Sequence, residues 1–265
     1  MHKQIIIIII PHYNNPKGLE TSIISINEKI KADIIIIDDG SSKKPNIQKL
    51  KEVYKQGTIF YKKQNKNKGI AEALNIGLDY AKKNKYKYIA RLDAGDKFFK
   101  NKLTKQYKYL EENKDVKLLG TWARIIDSKG NFLYNLKHPT KYKDIKKSMH
   151  LNSAFVHPSV MFSSEVLTKV KAYPLQYLAA EDYGFFFNII NQYRAENYPE
   201  ILIDYVVDEN SISTIKREAQ VKNRIKIMIK NFYFGAYPIY GIIRSCILLL
   251  FSRSILNKVK SKTYN

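Results

Sequence analysis

One cysteine, Cys246, in 265 residues excludes an intramolecular disulfide and any cysteine-based zinc cluster, which fits a reducing cytosol. Glycine and proline are sparse, at 11 and 8, and no Gly/Ser-rich linker, low-complexity stretch or internal repeat occurs before about residue 215. Residues 1–215 are therefore expected to form one domain. Acids are also short, 24 against 46 Lys and Arg, for a formal charge of +22. Such a surplus calls for an anionic partner: nucleic acid, an acidic lipid surface or a phosphorylated small molecule. Long apolar runs are few. The first, in "MHKQIIIIIIP", is too short for a signal-peptide core and lacks a small-residue cleavage site; a β-branched run that is apolar on both faces predicts a central strand of a parallel sheet.

What is present is an alternation of strand and helix signals. "QIIIIII" (4–10) is followed by a helix that Asn15 would cap and Pro16 would open, with Leu19, Ile23, Ile26 and Ile30 on one stripe. "DIIII" (33–37) and "TIFY" (58–61) read as the next strands. A helix with Ile70, Leu74, Gly77, Leu78 and Ala81 on one side leads to the strand "YKYIA" (86–90). This βαβαβαβ order predicts an α/β fold with an open, mostly parallel twisted sheet. Beyond residue 113 the rhythm changes. "VKLLGTWARIID" and "NFLYNLK" flank "SKG" as a hairpin, an antiparallel addition to the sheet. "HPSVMFSSEVLTKV" (157–170) reads as a strand and then a helix capped by Ser163 or Ser164, and "AEDYGFFFNII" (180–190) as a helix with acids in its first turn.

Ligands of open parallel sheets bind outside the carboxyl ends of the strands. On this chain the first strand ends in "PHYNN", the second in "DDGSS" (Asp38, Asp39) and the fourth in "RLDAGD" (Arg91, Asp93, Asp96), so acids more than fifty residues apart share one edge. Converging carboxylates destabilise one another unless something relieves them. A divalent cation bridging phosphate oxygens would do so, and carboxylates also accept from ribose hydroxyls or a base N–H. A nucleoside diphosphate with Mg2+ or Mn2+ would satisfy these groups together. Each cluster alone is equally a polar turn, with glycine supplying a positive φ; their joint position at one edge favours the ligand.

"IIIIPHYNN", "IIIIDDGSS", "NKGIAEALNIGLDYA", "YIARLDAGD", "HPSVMFSSEVL" and "AEDYGFFF", in this order over about residues 4–206, resemble the family 2 glycosyltransferases of the GT-A fold. The resemblance implies inverting sugar transfer from a nucleotide donor, usually UDP-linked, to a glycan or lipid-linked acceptor in surface polysaccharide or lipooligosaccharide synthesis, with a nucleotide-binding half over about residues 1–112 and an acceptor half over about 113–215. It implies that Pro11, Tyr13 and Asn14 line the base and ribose pocket, that Asp39 binds the base with Asp38 supporting its loop, and that Gly69 and Asn75 shape the donor pocket. Asp93 would reach the ribose or the metal, Arg91 is a further donor contact, and Asp182 of the Glu181-Asp182 pair would be the general base, with Glu181 as the fallback. Asp96 and His157 are candidate metal ligands beside Asp93. The third position of the relatives' Asp-x-Asp-Asp is Gly95 here, so the ion is held by Asp96 in its place, by Asp93 alone with water and diphosphate, or is replaced by Arg91 or a loop lysine.

From Lys216 onward eleven Lys and Arg face one acid, Glu218. "FYFGAYPIYGIIRSCILLLF" (232–251) contains Arg244, Pro238 and two glycines, a poor spanning helix. Its stripe of Ile239, Ile242, Ile243, Cys246, Ile247 and Leu250, opposite Tyr240, Gly241, Arg244 and Ser245, suits an interfacial helix on an anionic membrane, with a core-packed helix or a span as alternatives. Residues 216–265 are thus expected to be a basic amphipathic helical region that holds the protein on the cytoplasmic face of the membrane. Two rivals remain. A sugar-nucleotide nucleotidyltransferase would want a Gly-rich, basic loop after the first strand, which "PHYNNPKG" is not. A non-enzymatic nucleic-acid binder would explain the charge but not acids that repel phosphate, so no nucleic acid is expected.

Overall fold

In a computed structural model, which describes residues 5–207 and 216–250, the chain forms a nine-stranded sheet with helices on both faces. Strand β1 (Ile6–His12), helix α1 (Pro16–Ile24), β2 (Asp33–Asp38), α2 (Ile47–Val53), β3 (Ile59–Lys63), α3 (Ile70–Lys83) and β4 (Tyr88–Arg91) come first. They are followed by β5 (Lys97–Phe98), α4 (Lys102–Glu112), β6 (Val116–Asp127), β7 (Phe132–Leu136), α5 (Tyr142–Met149), β8 (Met161–Ser163), α6 (Glu181–Ile190) and β9 (Arg194–Val207). Two basic helices close the described chain, α7 (Arg217–Lys230) and α8 (Ala236–Leu250).

The sheet order is β3-β2-β1-β4-β8-β6-β9-β5, with β7 beside β6. β1 pairs in parallel with β2 and β4, and β2 with β3. The β6–β7 hairpin turns at Asp127, which accepts from the backbone of Lys129 and Asn131, and Gly130 supplies the positive φ of 89°. The isoleucine run of β1 divides by parity. Ile7 and Ile9 join a core with α3, α6 and α7, while Ile6, Ile8 and Ile10 join another with α1 and α2, as the two-residue period of a strand requires. Gly77 lets α3 lie close on β1: a Cβ there would meet Ile9 Cγ2 at 2.5 Å.

Several expectations change in detail. Asn15 does cap α1, accepting from Gly18 N at 3.0 Å, and Pro16 opens it, but the helix stops at Ile24, short of Ile26 and Ile30. The chain leaves early so that Glu28 can reach the start of α4, where its carboxylate accepts from Leu103 N at 2.8 Å and Thr104 N at 2.9 Å. Ile26 still enters the second core, with Ile30 packed against it. After β8 comes a turn of 3-10 helix (Ser164–Thr168) rather than an α-helix, capped by Ser163, which accepts from Glu165 N. His157 opens another such turn instead of a strand.

The C-terminal helices pack on the main body. Ile227 and Met228 of α7 are buried in the first core, and Asn223 Nδ2 donates to Leu178 O at 2.9 Å. α8 turns a small face inward. Pro238, Gly241 and Ser245 are buried, and a Cβ on Gly241 would strike His150 O at 1.8 Å. Of its apolar stripe Ile239, Ile243 and Ile247 are exposed while Ile242 packs against the first core, and Tyr240, expected opposite the stripe, is exposed as well. Among the described residues no helix is long and apolar enough to cross a membrane. The basic stretch 251–265 that was read with this region lies outside the described residues.

Candidate active site

The carboxyl ends of β1, β2 and β4 open on one cleft of about 540 Å3, with walls that include Pro11, Tyr13, Asp39, Gly69, Asp93 and Glu181. At its floor Asp39 is 3% exposed, yet both carboxylate oxygens are occupied. Oδ1 accepts from Gln64 Nε2 and Lys68 N at 2.8 Å each, and Oδ2 from Gly69 N at 2.8 Å. Burial nevertheless pushes its pKa up. Asp38 stands behind the floor, taking Ser41 N at 2.8 Å and Tyr61 Oη at 2.6 Å. Burial opposes ionisation there, but the hydrogen bonds win and its pKa is lowered. Gly69 meets the cleft at φ 94°, a conformation that suits glycine, at the start of α3.

Two expected pocket residues support it from outside. Asn14, at φ 52°, uses its Oδ1 to gather Ser42 N, Ser42 Oγ and Lys43 N, while its neighbours Tyr13 and Asn15 line the cleft. Asn75 clamps the opposite loop, accepting from Tyr173 N at 2.7 Å and donating to Tyr173 O at 3.0 Å.

"RLDAGD" separates its charges. Asp93 borders the cleft with its side chain 29% exposed. Arg91 lies beneath, fully buried, donating to Asp93 Oδ1, to Ile9 O at 3.0 Å and to His157 Nε2 at 3.4 Å. A buried guanidinium needs such a counter-charge. Asp96 turns the other way: Oδ1 accepts from Val206 N at 2.8 Å on β9, Oδ2 has no partner, and burial with Asp93 nearby raises its pKa far above the usual carboxylate range. Gly95 between them has φ 124°, and its N donates to Ser22 Oγ at 2.9 Å. An aspartate at Gly95 would carry backbone strain, a physical reason for the departure from the relatives' pattern. His157 keeps Nε2 for Arg91 and for Tyr173 Oη at 3.0 Å, and burial beside Arg91 holds it neutral.

Among the described residues no three His, Cys, Asp or Glu come together to hold a metal. Of the three proposed ligands only Asp93 borders the cleft, so the residues fit a cation held chiefly by a ligand's own oxygens and not by a protein cage. Glu181 and Asp182 begin α6. Glu181 lines the cleft, and burial plus the Asp182 charge push its pKa up to about 7. Asp182 is partly exposed outside that lining, accepting from Tyr183 N at 2.7 Å, and its pKa too is raised by burial. Just before them Ala179 sits at φ 60°, an uncommon angle for alanine.

Sequence reasoning did not pick out Asn67, Leu178, Ala179 or Lys216 as lining residues. Asn67 precedes the "KG" of an element already noted and could have been found there. Leu178, Ala179 and Lys216 arrive by tertiary packing.

The family model for glycosyl transferase family 2 matches residues 7–170, and the chain belongs to that family and is a glycosyltransferase. It is 33% identical over 99% of its length to an uncharacterized glycosyltransferase, MJ1057, of Methanocaldococcus jannaschii, covering 96% of that protein. It is 27% identical to the amylovoran biosynthesis glycosyltransferase AmsE of Erwinia amylovora, over 92% of this chain and 93% of that one. Among solved structures, S. aureus TarS 1–349 in complex with UDP-GlcNAc has a TM-score of 0.71 at 14% identity, over 94% of this chain and 74% of that one. The mannosyltransferase PcManGT from Pyrobaculum calidifontis, in complex with GDP-Man and Mn2+, has a TM-score of 0.65 at 15% identity, over 94% and 70%. These structures share the GT-A fold with this chain.

Proposed function

We propose that this chain transfers a sugar, with inversion, from a nucleoside diphosphate donor, most simply a UDP-sugar, to a glycan or lipid-linked acceptor in surface polysaccharide synthesis. The observation that carries this reading is the cleft: Asp39, locked on the Lys68 and Gly69 amides just past β2, shares it with Asp93 just past β4 and with Glu181 at the start of α6. The TarS and PcManGT ligands and the AmsE name are consistent with it. Base and ribose would lie against Pro11, Tyr13 and Asp39, with Asp93 toward the ribose and diphosphate. Arg91 supports Asp93 from below, and Asn14, Asp38 and Asn75 hold the loops around the pocket.

Inversion requires attack from the face opposite the leaving group, so the base must stand beyond the nucleotide's own cleft. Asp182, outside the cleft lining, meets that condition and is the proposed base. Glu181, on the donor side and titrating near 7, would carry a proton part of the time and donate it in a hydrogen bond to the donor. A divalent cation, Mn2+ or Mg2+, arriving with the donor would be held on the protein side by Asp93 and would neutralise diphosphate charge. His157 and Asp96, committed elsewhere, position Arg91 and β9 respectively. A thermal-shift screen of UDP and UDP-sugars, with and without Mn2+, tests the reading: a nucleotide that binds the folded state raises Tm by mass action, and no shift with any nucleotide diphosphate would refute it.

The outward stripe of α8, with Phe234 93% exposed just before it, is proposed to rest on an anionic membrane, the lysines of 216–265 meeting lipid headgroups. This would place the enzyme on the cytoplasmic face, near a lipid-linked acceptor. Ile239→Ser with Ile243→Ser should abolish co-sedimentation with acidic vesicles and leave UDP binding intact. Wild-type protein that ignores acidic vesicles would refute the placement.

A further inference from the structure

We infer that Lys216, at the start of α7, is the protein's own cationic contact to the donor's diphosphate, beside any metal that arrives with it, so that the C-terminal region completes the active site. The inference rests on the reading of the cleft as a nucleotide-sugar site and names one of its ligand groups.

The charge around the cleft argues for it. Three carboxylates line the walls, Asp39, Asp93 and Glu181, and a diphosphate entering beside them needs compensation. Although the chain has 46 Lys and Arg, Lys216 is the one that lines this cleft among the described residues. Arg91 is fully buried and already committed to Asp93, Ile9 O and His157. The other cations can draw an anion toward the molecule, but only a cation on the wall can touch it. Lys216 is exposed and makes no salt bridge with a described residue, so its ammonium need not leave a partner to meet phosphate.

Its placement is not left to a floppy stem. Lys216 O accepts from Gln220 N at 2.9 Å, which fixes it to the first turn of α7. That helix is anchored by buried Ile227 and Met228 and by the bond from Asn223 to Leu178 O, on the loop from which Leu178 and Ala179 also line the cleft. One packing event therefore brings both Lys216 and the loop before Glu181 to the cleft.

The test is calorimetry of the full-length protein with UDP, and ligand-observed NMR with uridine, each in Mn2+ and in EDTA. A charge-assisted contact predicts that Lys216→Ala weakens UDP about 10- to 100-fold. Uridine binding should stay within about twofold, and Lys216→Arg should restore most of the loss for UDP. Lys222→Ala is the control for overall charge, since Lys222 pairs with Glu218 on the same helix, and should leave both ligands unchanged. Equal UDP affinity in wild type and Lys216→Ala overturns the inference. A parallel loss for uridine and UDP also overturns it, by making Lys216 a support of the fold. If wild type binds neither UDP nor uridine, the nucleotide reading of the cleft fails first and takes the inference with it.

Discussion

The parallel half, β1 to β4, and the half that follows build one sheet but deliver chemistry in different ways. In the first, Pro11 near the end of β1, Asp39 just after β2 and Asp93 just past β4 reach the cleft because they sit at or next to the tips of buried strands. In the second, the groups that reach the cleft sit at helix starts, Glu181 on α6 and Lys216 before α7, and are placed by helices docking on the sheet. The lesson is that the part of the cleft built at strand tips follows from local strand and loop geometry, whereas the part built at helix starts depends on long-range packing.

Variants can break this division, and the sharpest falls on the second half. Asp182→Asn should lower turnover by at least about 100-fold while UDP affinity changes little, the usual scale for a lost general base. Steady-state kinetics beside calorimetry checks it; near-normal turnover in Asp182→Asn with a dead Glu181→Gln would move the base to Glu181.

The next effect tests the packing of the first half. Gly77→Val places a side chain into Ile9 of the central strand. It should cost about 2–3 kcal/mol in urea unfolding, the scale of an overpacked core, and an unchanged midpoint would mean that α3 can shift outward at little cost.

Glu181 offers a pH signature. Its folded pKa, about 7 against an ordinary 4.5, means that the folded state prefers the protonated acid. The stability this contributes is complete below pH 4.5 and is lost as pH rises through 7. Glu181→Gln should therefore raise stability over wild type at pH 8, by roughly 1–3 kcal/mol, and give no gain at pH 4. Thermal melts across that range check both sign and window.

The smallest effect contrasts the two aspartates of "RLDAGD". Asp93→Asn should weaken UDP about 5- to 10-fold, the loss of one charged contact. Asp96→Asn should keep UDP affinity within about twofold, in Mn2+ or in EDTA, since that carboxyl is buried against Val206. A metal-dependent loss in Asp96→Asn would restore it as a ligand.

Much of the first half was legible because buried parallel strands leave a continuous β-branched signal and their tips carry the polar residues. α2, α4, α5 and β9 were not. α4 buries Lys102 and Gln106, whose types announce a solvated surface, and its start is capped by Glu28 more than seventy residues away in sequence. β9 runs through Pro199 and is held by its parallel partner β6, a pairing between segments far apart along the chain. On α8 periodicity finds a stripe but does not say which residues the protein covers: Ile242 of the stripe packs inward, and Tyr240, set opposite it, is exposed. Gly241 takes the inner face because a Cβ there would strike His150 O at 1.8 Å, and Pro238 and Ser245 are buried with it.

By itself the sequence determined the α/β order, the buried parallel strands and the family, because these follow from hydrophobic period and from motifs in register. Only the tertiary structure decided which carboxylates face the ligand. Asp93 and Asp96 are the same residue type, three apart on one turn, yet Asp93 opens on the cleft over Arg91 while Asp96 is drawn into the protein by the Val206 amide. The bond to that amide offsets part of the cost of burying Asp96, a cost that shows in its raised pKa and is set by the packing of β9 and not by the sequence around "RLDAGD".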